Sequence, residues 1–163
     1  MQLHISVNLD AIALNCYKAA MREKPEDPMI SAWIGLVRAQ AQVLAVVEND
    51  LKKAGHPPLG WYDVLLELRR APEGLRPLDL QSRLLLEQHN VSRLIDRMAA
   101  KGLVERRPYE ADGRGQIIAL TSKGKDQQIA MWPVYRAALN KALASRLSAA
   151  EAVTLSGLLA KLR

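Results

Sequence analysis

The sequence predicts a mainly α-helical protein with one small β-hairpin, and three observations lead to this fold class. Apolar residues recur at helical spacing through most of the chain, and this period disappears only between Leu103 and Thr121. Two short extended runs in that interval flank a glycine-containing turn. The 163 residues are 49% hydrophobic and 25% charged, which is a globular balance. A chain of this length forms one buried core, so we predict a single domain over residues 1–163.

The first predicted helices lie before residue 60. A short amphipathic helix follows Asn8, a good N-cap residue, and its apolar stripe comprises Leu9, Ile12, Ala13 and Cys16. Asp27 and Pro28 then form an N-cap and first-turn pair that begins a helix of about 25 residues. This second helix stops at the glycine and proline breakers of the segment AGHPPLG.

The next three helices are shorter. One apolar face over residues 61–68 predicts a third helix that ends at the segment APEG. Pro77 suits the first turn of a fourth, which carries Leu80 and Leu84, although Arg76 before it is a poor capping residue. A fifth helix over residues 88–101 ends at Lys101 and Gly102, and its apolar stripe comprises Val91, Leu94, Ile95 and Met98.

The remaining elements are a hairpin and two C-terminal helices. The runs LVERR and QIIALT flank the turn segment EADGRG and predict the two strands. Thr121 is placed to cap the helix that follows, in which Pro133 can introduce a bend. Ser148 and Glu151 match a capping box at the start of the last helix, whose apolar side comprises Leu155, Leu158, Leu159 and Leu162.

Charge and cysteine content limit the class of protein. The net charge is +6, and residues 75–125 hold ten Lys and Arg against six Asp and Glu, so an anionic partner is plausible, with a solvated basic face as the alternative. We find no secretory signal and no apolar run of about 20 residues, so we expect a cytoplasmic protein without a membrane segment. The single Cys16 excludes an intrachain disulfide framework.

The order helix, tight turn, helix and basic hairpin over residues 78–121 predicts a winged helix-turn-helix. The second helix of such a unit enters the DNA major groove, which is about 12 Å wide. With the apolar stripe turned inward, the outward positions of this helix are His89, Asn90, Ser92, Arg93, Asp96 and Arg97. Polar groups that can read bases thus share one face with cations.

The segment LLLEQHNVSRLIDRMAAKGLVERR, followed by DGRGQIIALTSKG, resembles the recognition helix and wing of MarR-family regulators. The resemblance is strong over residues 59–125, although Arg76 stands where the family often has a capping Thr or Ser. It implies a sequence-specific transcriptional regulator, repressing by family default. It also implies a homodimer on a pseudo-palindromic operator, with residues 1–57 and 122–163 in dimerisation and residues 58–121 in DNA binding.

The same resemblance implies roles for individual residues. Gln88, His89, Asn90 and Ser92 are expected at bases or sugars, and Arg93 and Arg97 at phosphates. The D-x-R motif corresponds to Asp112 and Arg114, with Arg114 at the minor groove, and Arg107 completes the predicted DNA-binding set. Asp96 is expected to orient a neighbouring arginine, with Arg114 as the candidate. A solvated surface cation is the alternative for each arginine.

The resemblance further implies a small aromatic effector between the dimerisation helices and the DNA-binding part. Candidate pocket residues are Trp33, Arg38, His56, Trp61 and Arg69, although tryptophans at helical spacing are more often plain core. Some relatives sense peroxides through an N-terminal cysteine, but Cys16 lies on an apolar stripe, which favours a buried hydrophobe.

No enzyme, metal or cofactor site is predicted. His4, His56 and His89 are far apart and lack ligand-spaced partners, and the sequence contains no nucleophile-elbow, Walker or dinucleotide-binding pattern. Two other functions remain open. A nonspecific architectural DNA-binding protein would use the same basic surface, and a winged-helix protein–protein interaction module would not contact DNA at all.

Overall fold

The structure, a computed structural model, describes residues 27–85, 91–109 and 115–162. Within these ranges the elements are α1 Pro28–Lys53, α2 Leu59–Arg70, α3 Pro77–Arg83, α4 Val91–Ala100, β1 Val104–Pro108, β2 Gln116–Leu120, α5 Ser122–Leu143 and α6 Ala149–Ala160. The mainly helical fold class with one hairpin is confirmed. The helix predicted after Asn8 lies outside the described residues.

Contacts divide the chain into two compact units, Met1–Ala41 and Gln42–Arg163. The packing described below lies within the second unit. The predicted division into dimerisation segments and a DNA-binding part stays a prediction, because a single chain does not test it.

One hydrophobic cluster joins α2, α3, α4 and the hairpin. Its fully buried members, all below 2% exposed, include Leu65, Leu68, Leu80, Ile95, Met98 and Ile118. The strands are antiparallel, with Val104 opposite Leu120 and Pro108 opposite Gln116. Leu75, just before α3, forms an isolated antiparallel bridge to β2 through backbone hydrogen bonds with Ile118. This cluster is the platform on which α4 lies.

The corner between the hairpin and α5 depends on Thr121 and Gly124. The Thr121 hydroxyl accepts a hydrogen bond from the Gly124 backbone N–H at 3.0 Å and lies 2.7 Å from the Gly102 carbonyl oxygen, to which it donates. The predicted cap is therefore confirmed. A Cβ at Gly124 would overlap the Leu103 carbonyl oxygen and lie 2.8 Å from Leu120 Cδ1. The Thr and Gly of the segment LTSKG, residues 120–124, thus fix how closely α5 approaches the start of the hairpin.

A second cluster joins the C-terminal half of α1 to α2 and α5. Val47, Leu51, Leu59, Tyr62, Met131 and Ala138 form its buried part. The Glu48 carboxylate accepts the Leu59 N–H at 3.0 Å at the start of α2, and Lys141 of α5 pairs with Asp50 at 3.0 Å. The lysine, mainly through its hydrogen bond, lowers the pKa of Asp50. Helix α5 is therefore fixed against both α1 and α2.

Two helices expose apolar side chains that this packing leaves uncovered. None of the residues of α6 is buried, and the apolar side chains predicted for its inner face are 37–74% exposed: Leu155, Leu158, Leu159 and Leu162. On α1, Met29, Ile30 and Trp33 are more than half exposed. The capping box of α6 is nevertheless complete, because Ser148 and Glu151 bond reciprocally. Both helices form as predicted, but the apolar face of α6 and the N-terminal part of the apolar face of α1 do not pack within the described chain.

Helix α1 corrects one expectation about the membrane. It is long and apolar enough to span a bilayer by length and composition, with a mean hydropathy of 1.5 over an 18-residue window. From the sequence we expected no apolar run of that length. Polar residues of this helix, such as Ser31, Gln40 and Gln42, interrupt the apolar run without adding charge, so the mean hydropathy stays high.

Candidate nucleic-acid interface

Helix α4 presents one buried face and one polar, exposed face. Val91, Leu94, Ile95 and Met98 are at most 7% exposed and pack into the first cluster. Ser92, Arg93, Asp96 and Arg97 are all exposed, as predicted. Because residues three and four apart share a helix face, the inward stripe leaves this polar set on the opposite side. The helix therefore offers a hydroxyl, a carboxylate and two guanidinium groups to a ligand in solvent.

An ion pair links this polar face to the wing. Arg106 of β1 places Nη2 2.7 Å from Asp96 Oδ1, and its Nη1 lies 3.4 Å from Gln116 Oε1 on β2. We expected Asp96 to orient an arginine and named Arg114, but within the described residues its partner is Arg106. The reason is the placement of the hairpin, in which β1 packs beside α4 and Arg106 lies opposite Ile118. Asp96 thus connects α4 to the hairpin.

The predicted wing residue Arg107 is exposed and paired locally. Its Nε donates to Glu105 Oε1 at 2.8 Å, so the two side chains lie together on the strand. At the end of α4, Lys101 is exposed, and the Lys123 Nζ donates to its carbonyl oxygen at 2.8 Å. Residues 91–108, which include α4 and β1, therefore carry five cations, Arg93, Arg97, Lys101, Arg106 and Arg107, against the carboxylates of Asp96 and Glu105.

Five of the predicted DNA-binding residues lie outside the described residues. These are Gln88, His89 and Asn90 before α4, and Asp112 and Arg114 between the strands. Their roles stay predictions. The described part of the candidate interface consists of the predicted Ser92, Arg93, Arg97 and Arg107, to which the structure adds Arg106 through its pair with Asp96. Arg106 was missed although it stands beside Arg107 in the basic run at the start of the wing, a signal that could have included it.

A groove of about 620 Å³ lies between α2 and α5. Tyr62, Trp132 and Tyr135 form an aromatic cluster along it, with Tyr62 and Tyr135 ring centroids 5.1 Å apart. Arg69 lines the groove, and its guanidinium donates to the Gln128 side-chain oxygen. Burial, reinforced by the nearby Tyr62 and Asp63, raises the pKa of Tyr135 above its ordinary value. Arg70, which pairs with Glu67, also lines the groove, so aromatic walls are combined with two cations.

The other predicted pocket residues occupy different positions. Trp61 packs partly buried against the first hydrophobic cluster, and the His56 ring lies 3.2 Å from the Gln127 side-chain nitrogen. Trp33 and Arg38 are exposed on α1, in the unit Met1–Ala41. Of the five candidates, Arg69 is the one that lines the groove between α2 and α5.

Comparison with known proteins shows a likeness to one family. Residues 55–115, which contain α2, α3, α4 and β1, match the model of the MarR family. No curated protein matches the sequence.

Solved structures of MarR-family proteins have the same fold. A MarR-family regulator from Streptomyces coelicolor, solved in complex with DNA, matches with a TM-score of 0.71 and 21% identity, over 80% of this chain and 86% of that one. A mutant MarR from E. coli, complexed with operator DNA, matches with a TM-score of 0.72 and 24% identity, over 82% and 94%. A regulator from Silicibacter pomeroyi gives 0.72 and 20%, over 86% and 96%. The winged helix-turn-helix fold is thereby confirmed.

The MarR-family match covers the recognition helix but not the whole chain. It ends at residue 115, so β2, α5 and α6 lie beyond it, and most of α1 precedes it. The structural likeness to the Silicibacter pomeroyi regulator covers 86% of the chain and therefore extends beyond the matched segment.

Proposed function

We propose that the protein is a sequence-specific DNA-binding transcription regulator that acts as a homodimer. The observation that supports this most directly is the exposed polar face of α4, with Ser92, Arg93 and Arg97, beside the basic strand β1 in a MarR-family unit. An α-helix fits the major groove, where polar side chains read base edges while arginines hold phosphates. Two relatives of the same fold were solved with DNA, one of them with operator DNA.

The decisive experiment compares the promoter region beside the protein's own coding sequence with random DNA of equal length. Binding is measured at about 150 mM salt, because phosphate contacts alone make affinity strongly salt-dependent. A regulator binds the promoter at least 10³-fold more tightly and protects a symmetric site, as is usual for specific sites. Equal, weak binding to both DNAs supports the architectural alternative. No binding at any salt supports the protein–protein module.

A homodimer accounts for the uncovered apolar faces. The apolar side chains of α6, such as Leu158 at 55% exposed, and those of α1, such as Trp33 at 65%, are covered when two copies associate. A twofold dimer places two copies of α4 about one DNA turn apart, roughly 34 Å, which explains recognition of a pseudo-palindromic site. Because a second copy covers the apolar side chains of α1, this helix does not need a membrane, and the protein is cytoplasmic in this proposal. Sedimentation without lipid tests this point, and a monomer that partitions into vesicles contradicts it.

Regulation by a small effector is the finer part of the proposal. The groove between α2 and α5 offers three aromatic rings and Arg69, which together suit an aromatic carboxylic acid. The effector shifts DNA binding only as far as its affinities for the bound and released arrangements differ. Repression with release by the effector is the default assignment for this family.

Titration with benzoate, followed by tryptophan fluorescence and DNA affinity, tests the groove. Arg69→Gln is expected to weaken benzoate binding about tenfold, because a charge-assisted bond is lost. Arg136→Gln, an exposed arginine of α5 that does not line the groove, is the matched control. Benzoate that binds wild type and leaves operator affinity unchanged contradicts effector control through this groove.

A further inference from the structure

Two carboxylates are buried on α2, and they have different partners. Among the described residues, Asp63 is 7% exposed and Glu67 is 8% exposed, and these are the buried acids of the chain. A carboxylate is buried at high cost unless hydrogen bonds compensate the loss of water. Glu67 pairs with Arg70, three residues further along the same helix, at 2.6 Å. Its partner therefore lies within α2.

Asp63 instead bonds across the fold to the turn before the recognition helix. Its Oδ2 accepts the backbone N–H of Leu85 at 2.6 Å, a contact between residues 22 positions apart. Leu85 follows the end of α3, after Leu84 has turned into an extended conformation. The Leu85 side chain is 67% exposed, so packing of that side chain does not hold the backbone here. The carboxylate of α2 thus fixes the main chain at this point.

We propose that Asp63 is a positioning residue for DNA recognition, which sets where the chain leaves α3 and hence how α4 lies on its platform. This inference rests on the proposed function, since it assumes that α4 reads DNA. Helix α3 has only seven residues and one buried side chain, Leu80. Interactions of the helix itself therefore fix its C-terminal end only weakly. Leu84 packs partly against the first cluster, and Asp63 adds a directional bond to the next residue.

The expected consequence concerns specificity more than affinity. Base contacts require the recognition helix to lie within about 0.5 Å and 10–20° of its productive place, whereas phosphate attraction depends mainly on charge. Loss of the Asp63 bond therefore reduces binding to the operator while binding to random DNA stays nearly the same. A residue that only stabilises the fold would lower both together, through the fraction of protein that is folded.

The test uses substitutions of Asp63 that separate charge from hydrogen bonding. Asp63→Ala and Asp63→Asn remove the same charge, but asparagine keeps an oxygen that can accept the Leu85 N–H. Asp63→Glu keeps the charge and displaces the acceptor by one methylene. Glu67→Ala is the matched control, because it removes the other buried carboxylate of the same helix. Affinities for operator and random DNA are measured at one salt concentration, at a temperature where every variant compared is folded.

Asp63→Ala and Asp63→Glu are expected to lower the ratio of operator to random affinity about tenfold, whereas Asp63→Asn and Glu67→Ala keep it within about threefold. Amide hydrogen exchange at Leu85 speeds up in Asp63→Ala and Asp63→Glu, and not in Glu67→Ala. If Asp63→Ala fails to fold, Asp63→Glu carries the comparison. Equal ratios in Asp63→Glu and Asp63→Asn, or an equal fall in Glu67→Ala, overturn the inference.

Failure of the proposed function gives a different result. If wild type does not prefer the operator, α4 is not a sequence reader, and the positional role of Asp63 in DNA recognition falls with it. The Leu85 exchange rates still report whether the bond fixes the turn. If wild type prefers the operator and Asp63→Ala and Asp63→Glu do so equally, only the role of Asp63 is refuted.

Discussion

At the scale of single residues, two side chains at the corner before α5 decide how that helix meets the wing. Thr121 bonds to the backbone on both sides of the corner, and Gly124 leaves room for the Leu103 carbonyl. The two effects are separable. Loss of the Thr121 hydroxyl removes the acceptor for the Gly124 backbone N–H at the start of α5. A methyl group at residue 124 instead forces this residue away from the Leu103 carbonyl.

Gly124→Ala is expected to destabilise the protein by about 1–3 kcal/mol or more, because the new methyl overlaps backbone that cannot rotate away. Chemical denaturation of the two proteins measures the difference. Gly157→Ala in α6 is the control, since nothing in the chain lies within 4 Å of the added methyl, and alanine is favoured over glycine by about 0.5–1 kcal/mol inside a helix. Equal stability of Gly124→Ala and wild type would refute the close packing.

The capping box of α6 predicts a pH dependence. The Ser148 backbone N–H, and then its hydroxyl, hold the pKa of Glu151 below 4.5. A lowered pKa in the folded state means that Glu151 stabilises the helix above about pH 4.5, and that this contribution is lost as pH falls through the folded pKa. NMR titration of the carboxyl measures the value. Ser148→Ala removes one of the two donors and raises the pKa, and a wild-type pKa at or above 4.5 contradicts the prediction.

At the scale of elements, α4 and β1 act as one unit because Asp96 and Arg106 join them. Both side chains are partly exposed, so the pair adds at most about 1 kcal/mol to stability. The pair neutralises the carboxylate on the exposed face of α4. In the proposed function, Arg97 on the same face then adds its charge to a phosphate-binding surface.

Arg97→Ala tests that role through salt dependence. A lost phosphate contact reduces the slope of log affinity against log salt by about 1 and weakens operator and random DNA alike. Lys161→Ala removes an exposed cation at the end of α6 and serves as the control for net charge. In the alternative, Arg97 is a solvated surface cation, and Arg97→Ala and Lys161→Ala then have the same slope. Equal slopes therefore support this alternative.

At the scale of the whole molecule, the uncovered helices α1 and α6 require a second copy in our proposal. Leu158→Glu places a charge on the apolar face of α6, which is 55% exposed at this position in the single chain. The dissociation constant of the dimer is expected to rise at least about tenfold, since a buried unpaired charge costs several kcal/mol. Analytical ultracentrifugation measures the dissociation constant.

Leu78→Glu gives the matched control for that experiment. Leu78 is 79% exposed on α3, outside the proposed dimer helices, so its substitution leaves the oligomeric state unchanged. Operator affinity of Leu158→Glu falls with dimer loss, because two half-sites are then bound independently. A protein that stays dimeric after Leu158→Glu contradicts the assignment of α6 to the interface.

The sequence by itself determined most of the local structure. The period of apolar residues gave the inward stripe and outward face of α4, and the caps at Thr121 and Ser148 followed from residue type, because both depend on neighbours within a few positions. Its motifs also identified the family later matched over residues 55–115. These signals depend on residues that are close in sequence, so they can be recognised from the sequence alone.

The tertiary structure decided which distant groups meet. Arg106 as the partner of Asp96 depends on hairpin register, and the Asp63 bond to Leu85 joins residues that no sequence period relates. The groove that includes Arg69 depends on how α2 packs against α5, and the exposure of α6 depends on which apolar faces the single chain leaves uncovered. Long-range pairing results from packing of the whole core, and a local pattern of residues does not encode it.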